Sequence, residues 1–195
     1  MGPRKDMTKT TQPGFSRRGV LAAFAATAVS AAPTYANATG FLRGAGDIRQ
    51  LRMFSGRTGE SIDTIYWIEG EYIGDALAEI NYFMRDWRNN TTVNIDTRNI
   101  DIMAASLRLM NADNPYMLLS GYRSPETNAM LRSRSSGVAR KSLHMTGQAA
   151  DLRLEGRTTA QISAAARSCR AGGVGRYPGS NFVHMDCGPV RTWRG

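Results

Sequence analysis

Cysteine and histidine are both scarce. The 195 residues contain two of each, Cys169 and Cys187, His144 and His184. Two cysteines exclude a disulfide-rich scaffold and an all-cysteine zinc finger. Any site that needs imidazole must draw on the same two histidines. No apolar run of 18 or more residues occurs in the body of the chain, which excludes a polytopic membrane protein. Glycine and proline show no G-X-Y period, so a collagen-like chain is excluded too. What remains is an apolar share of 42%, ordinary for a globular protein, on a length that suits one domain.

The net charge of +9 points first to nucleic acid. Part of it belongs to an address rather than a surface. Ser16-Arg17-Arg18-Gly19-Val20-Leu21 follows a twin-arginine pattern, Gly19 to Ala32 is Ala-rich and apolar, and Ala36-Asn37-Ala38 is an A-x-A cleavage site. Residues 1–38 therefore read as a twin-arginine signal peptide, cleaved or kept as an anchor, of a bacterial protein exported folded to the periplasm or cell envelope. They carry a net +4. The remaining +5 is moderate and suits an anionic target such as cell wall as well as nucleic acid. No basic stripe interleaved with aromatics supports the latter. An oxidising compartment permits a Cys169–Cys187 disulfide, and two buried free thiols remain the other reading.

Residues 39–50 read as a flexible, Gly-rich lead-in and 51–195 as one domain. Strands are expected at Leu51–Ser55, Ser61–Trp67, Tyr116–Tyr122, Ala149–Leu154, Gly173–Tyr177 and Phe182–Asp186. Ile73, Leu77, Ile80, Met84 and Trp87 mark one face of a helix ended by Asn89-Asn90. Ile100, Met103, Leu107 and Met110 mark a second. Ser124-Pro125 reads as a cap followed by a first-turn proline, starting a helix to about Arg132. A mobile loop follows to Lys141. Thr158 to Gln161 forms a capping-box pattern, and Gly172-Gly173 is the expected left-handed end of that helix. Helices and strands mix without regular β-α-β alternation, which predicts an α+β domain.

His144 and Asp151 stand seven residues apart across a glycine, and His184 lies further on in Phe-Val-His-Met-Asp. Two imidazoles and a carboxylate suit Zn2+ with a fourth position open, the layout of a catalytic site. Such a metal acidifies water and polarises a carbonyl, which permits hydrolysis near neutral pH.

Ser-Leu-His144-Met-Thr-Gly-Gln-Ala-Ala-Asp151-Leu resembles the first zinc motif of the zinc D,D-peptidases, which share their fold with the hedgehog signalling domain. Phe182-Val-His184-Met-Asp186 resembles the second motif. Ser120-Gly121-Tyr122-Arg123-Ser124-Pro125, with Asn128, resembles the arginine-bearing segment before them. The likeness runs from Leu51 to Trp193 and is strongest to the K-type murein endopeptidase branch. It implies a small antiparallel sheet with flanking helices, carrying zinc on His144, Asp151 and His184. It places Arg123 beside the metal, on the oxyanion or on a substrate carboxylate. The family often has a carboxylate three residues before the last ligand, or a histidine two before it. Asn181 and Phe182 stand there instead. Asp186 shares a strand face with His184. It is the candidate base, or else it orients a ligand from behind.

The resemblance implies a zinc-dependent peptidoglycan endopeptidase or carboxypeptidase, D,D or L,D, acting on stem peptides or their cross-links. The alternative is a non-catalytic envelope domain that binds wall peptides. Nucleic acid and stable membrane insertion after signal cleavage are not expected, and the sequence does not fix the oligomeric state.

Overall fold

The computed structural model describes residues 47–195. The signal segment and most of the lead-in fall outside these residues.

Eight strands form one mixed sheet. They are β1 (Ile48–Phe54), β2 (Ser61–Ile68), β3 (Glu71–Tyr72), β4 (Tyr116–Ser120), β5 (Ala149–Leu154), β6 (Gly173–Tyr177), β7 (Phe182–Asp186) and β8 (Arg191–Arg194). Their spatial order is β3-β2-β1-β4-β5-β7-β6-β8. β1 runs parallel to β4 and β6 parallel to β8, while every other pair is antiparallel. The α+β class holds. The small antiparallel sheet does not: the sheet is larger, and two pairings are parallel. β1 also starts at Ile48, inside the expected lead-in.

The four helices among the described residues are α1 (Gly74–Phe83), α2 (Thr97–Leu109), α3 (Pro125–Arg134) and α4 (Thr159–Ser168). Their starts follow local chemistry. The Asp96 carboxylate accepts from Arg98 N at 3.0 Å to cap α2. Ser124 caps α3, with Pro125 in the first turn. Thr158 and Gln161 form the full capping box of α4. The ends depart from expectation. α1 stops at Phe83, and Trp87 lies in the following turn. α4 stops at Ser168, and Arg170, at φ +49°, takes the left-handed position assigned to glycine. Gly172 and Gly173 serve another purpose: the backbone and side chain of Asp186 pack where their Cβ atoms would lie.

Alternation along the strands separates two faces. Ala150, Leu152, Val183, Met185 and Val174 point into the core, with Ile162 and Ala166 of α4 and Met103 and Leu107 of α2. The opposite face of β5, β7, β6 and β8 carries polar side chains. At the far edge a buried polar hub ties α2 to the sheet. Asp101 accepts from Arg49 (2.8 Å), Tyr66 (2.9 Å) and Tyr72 (2.8 Å). Cys169 and Cys187 are both buried and free, which decides the open disulfide question in favour of thiols. Among the described residues no helix is long and apolar enough to cross a membrane.

Candidate metal centre and active site

The strand register assembles the site. Ser120 pairs with Asp151, Asp151 with His184, His184 with Gly175 and Gly175 with Trp193. These five residues form one transverse row over five strands. His144 joins it from a 3-10 turn at Leu143–Thr146, which Ser142 caps. Gly147 closes that turn at φ +69°, where a Cβ would also press on the Asn94 carbonyl at 2.7 Å.

His144 Nδ1 donates to the Gly121 carbonyl at 2.7 Å. Its Nε2 therefore carries a lone pair, is fully buried and has no hydrogen-bond partner. That nitrogen faces Asp151 Oδ1 at 3.3 Å, acceptor against acceptor. His184 Nδ1 meets the same oxygen at 2.9 Å. One ligand atom from each of the three residues falls within 4.8 Å of the others. A buried imidazole nitrogen without a partner, a carboxylate oxygen and a second imidazole nitrogen this close together could hold a cation. The nitrogen-rich, three-ligand set open to a cleft fits zinc.

Burial acts against an imidazolium at both histidines. At His184 the hydrogen bonds to Asp151 and Asp186 outweigh it and carry the pKa up to about 9. At His144 burial wins and the pKa falls. Burial pushes the Asp151 carboxyl up, but the two imidazoles outweigh it and hold it well below its ordinary value.

Asp186 does share the face of His184, but it does not reach the cleft. It is fully buried. Its Oδ2 accepts from His184 Nε2 (3.0 Å) and Arg191 Nη2 (2.8 Å). Its Oδ1 accepts from Gly173 N, Gly188 N and Arg191 Nη1. Five donors saturate the carboxylate. Burial raises its pKa, but His184 and Arg191 outweigh it and bring it far below the carboxylate range. These contacts fit the second of the two expected roles, orienting His184 with Nδ1 left to face the cluster, better than that of a base.

Arg123 lies against Asp151. Its Nη2 pairs with Asp151 Oδ2 and its Nε donates to Ser120 Oγ at 2.8 Å. The guanidinium is largely buried, unlike a surface ion pair, and Nη1 keeps no partner among the described residues.

The cleft over the triad has a volume of about 480 Å³. One wall is the loop from Ser135 to Leu143, with Lys141. The other is formed by Tyr177, Phe182 and Trp193. Sequence reasoning missed this second wall and the role of β8. Gly173 and Gly175 leave the site face of β6 bare, so Arg191 and Trp193 reach across it to Asp186 and His184. A Cβ at Gly175 would fall inside the Trp193 indole. The G-x-G alternation on a strand was the available signal.

Two histidines and a carboxylate that could hold a metal, open to a cleft on a mixed sheet, have the layout found in metal-dependent hydrolases. The sequence pattern of the family described as peptidoglycan L,D-endopeptidase MepK matches residues 43–193. The chain belongs to that family. It is 47% identical over 145 residues to the peptidoglycan L,D-endopeptidase MepK of Escherichia coli strain K12, covering 74% of this chain and 80% of that one. It is 40% identical over 141 residues to the probable peptidoglycan L,D-endopeptidase MepK of Haemophilus influenzae, covering 71% and 75%. The crystal structure of Serratia marcescens L-Ala D-Glu endopeptidase ChiX overlaps 49% of this chain and 68% of its own, at 20% identity and a TM-score of 0.34. That likeness is too slight to carry an argument.

Proposed function

We propose that the protein is a zinc-dependent peptidoglycan endopeptidase cleaving L,D amide bonds in cross-linked stem peptides, exported by the twin-arginine route to the cell envelope. The observation that carries it is the buried, partnerless His144 Nε2 facing Asp151 beside His184, within the segment that matches the family. His144, Asp151 and His184 hold the metal. When bound, zinc supplies Lewis acidity, polarising an amide carbonyl and lowering the pKa of water.

The protein residues supply the rest. Hydrolysis breaks the C–N bond, adds hydroxyl to the carbonyl carbon and leaves the proton on the departing nitrogen. Arg123 turns its free Nη1 to the carbonyl oxygen as charge builds there. Its Nη2 and Nε are held by Asp151 and Ser120, so the guanidinium is fixed before substrate arrives. Asp186 positions His184.

The test incubates the purified zinc-loaded protein with cross-linked muropeptides, using His184→Ala as the blank. Products are read by liquid chromatography and mass spectrometry. Loss of L,D-linked dimers with gain of monomers is expected, and intact dimers overturn the reading. One observation favours the second reading, a wall-peptide-binding zinc domain: Asp151 is the sole carboxylate among the described residues lining the cleft, and it is a ligand. Binding of dimers without turnover by fully loaded protein would establish it.

A further inference from the structure

The cleft holds one hydroxyl that is fixed and aimed. The Tyr177 ring stacks on Phe182 with centroids 4.4 Å apart and planes 9° from parallel. Gly195 lies against the Cδ1–Cε1 edge of the same ring, where a Cβ would strike it. The side chain is therefore held at the end of β6 by a stacked ring and an edge contact. Its oxygen accepts from Trp193 Nε1 at 2.8 Å. Tryptophan can only donate, so the phenolic proton is not used in that bond. A phenolic proton lies near the ring plane on one of two sides. The indole N–H occupies one, and the proton turns to the other. No other hydrogen bond from this hydroxyl is formed among the described residues, and Tyr177 lines the cleft.

Its position complements that of Arg123. Along the transverse row, Arg123 stands on the Ser120–Asp151 side of the triad. Trp193, which holds Tyr177, stands on the Gly175 side beyond His184, its indole 5.3 Å from the imidazole. A peptide that lies across the triad meets a guanidinium on one flank and the phenol on the other.

We propose that Tyr177 is a substrate-contacting residue whose hydroxyl donates a hydrogen bond to an acceptor oxygen of the bound peptide beside the scissile amide, with Trp193 as the residue that positions it. The acceptor is a main-chain carbonyl or a free carboxylate of the stem peptide. This rests on the endopeptidase reading above. The oxygen of Tyr177 is spent on the indole and its proton is not, so it acts as a donor.

The experiment uses Tyr177→Phe, Trp193→Phe and the double variant in the full chain. Phenylalanine keeps the stacked ring, and circular dichroism and zinc content are expected to match wild type. Tyr177→Phe is expected to lower kcat/KM on cross-linked muropeptides about 10- to 100-fold. It is also expected to weaken calorimetric binding of the same dimers to zinc-stripped protein. Trp193→Phe is expected to cost less, and the double variant no more than Tyr177→Phe alone, because both act through one hydrogen bond. A dimer amidated at its free carboxylate separates the two acceptors: the Tyr177→Phe penalty disappears if the carboxylate is bound and persists if the carbonyl is. Wild-type turnover with Tyr177→Phe within twofold, or losses that multiply in the double variant, overturns the proposal and leaves the endopeptidase reading standing. A wild type that neither cleaves nor binds overturns both.

Discussion

At the scale of single residues, the scarcity of histidine did most of the work. With His144 and His184 the only imidazoles, and Asp151 at a fixed interval, a candidate metal set could be named before any fold was known, and the fold brings its three members together. What each nitrogen does was not. The tautomer of His144 is set by the Gly121 carbonyl, 23 residues away, and that of His184 by Asp186. The two roles read for Asp186 stayed open for the same reason. Strand periodicity gives its face, but not the five donors that converge on it from β6, β7, β8 and the turn at Gly188. A base and a holder of His184 predict different defects. Asp186→Asn is expected to raise the zinc dissociation constant about 10- to 100-fold in a chelator competition. If Asp186 were the base, zinc affinity would stay and turnover alone would fall. Arg123→Lys is expected to keep zinc and lose about 100-fold in kcat/KM, since an ammonium cannot bond Asp151 and Ser120 and still present a free donor.

At the scale of elements, legibility followed burial and capping. β5, β6 and β7 have the bounds read from the sequence, because apolar alternation and flanking turn residues mark both ends. β3 and β8 are short, polar and at the sheet edges, so no pattern reveals them. α1 was drawn too long because burial outlives the helix. Met84 is fully buried after α1 has ended, with its carbonyl accepting from Tyr122 N at 2.8 Å. The start of α2 gives a pH prediction. Burial raises the Asp96 carboxyl, but hydrogen bonds from Arg98 and Gln148 outweigh it and bring the pKa down to about 2, against 3.8 unperturbed. A depressed folded-state pKa stabilises above the unfolded value and is lost as pH falls through the folded one. Asparagine caps a helix as well as aspartate. Asp96→Asn should therefore cost about 1 kcal/mol at pH 6, a modest figure because Arg98 is 54% exposed. In urea melts that difference should shrink between pH 4 and pH 2, and a difference constant with pH would contradict it.

At the scale of the whole molecule, the sheet divides labour along its length. The β1–β2–β3 end is anchored to α2 through Asp101, whose carboxylate serves three donors at a buried position. Asp101→Ala is expected to destabilise by about 3–5 kcal/mol, because it leaves buried donors without their acceptor. Zinc content of the folded fraction should not change, since none of these groups touches the triad. The β5–β7–β6–β8 end carries the chemistry, and its outermost strand contributes little to the core. Arg191, Thr192 and Arg194 are exposed, and Trp193 is half-buried. Yet β8 supplies Arg191 to Asp186 and Trp193 to Tyr177 and His184. The last strand is thus a functional clamp more than a structural one, which the polar text of Arg191–Arg194 could not disclose. Replacing Arg191 and Trp193 together by alanine separates the two roles. Both side chains lie outside the hydrophobic cluster, so the urea midpoint should fall only slightly. Zinc affinity should fall more than tenfold, because Asp186 loses two of its five donors. A collapse of stability with unchanged zinc affinity in the folded fraction would instead make β8 a structural edge, and would place the holding of His184 entirely on Asp186 and the backbone amides of Gly173 and Gly188.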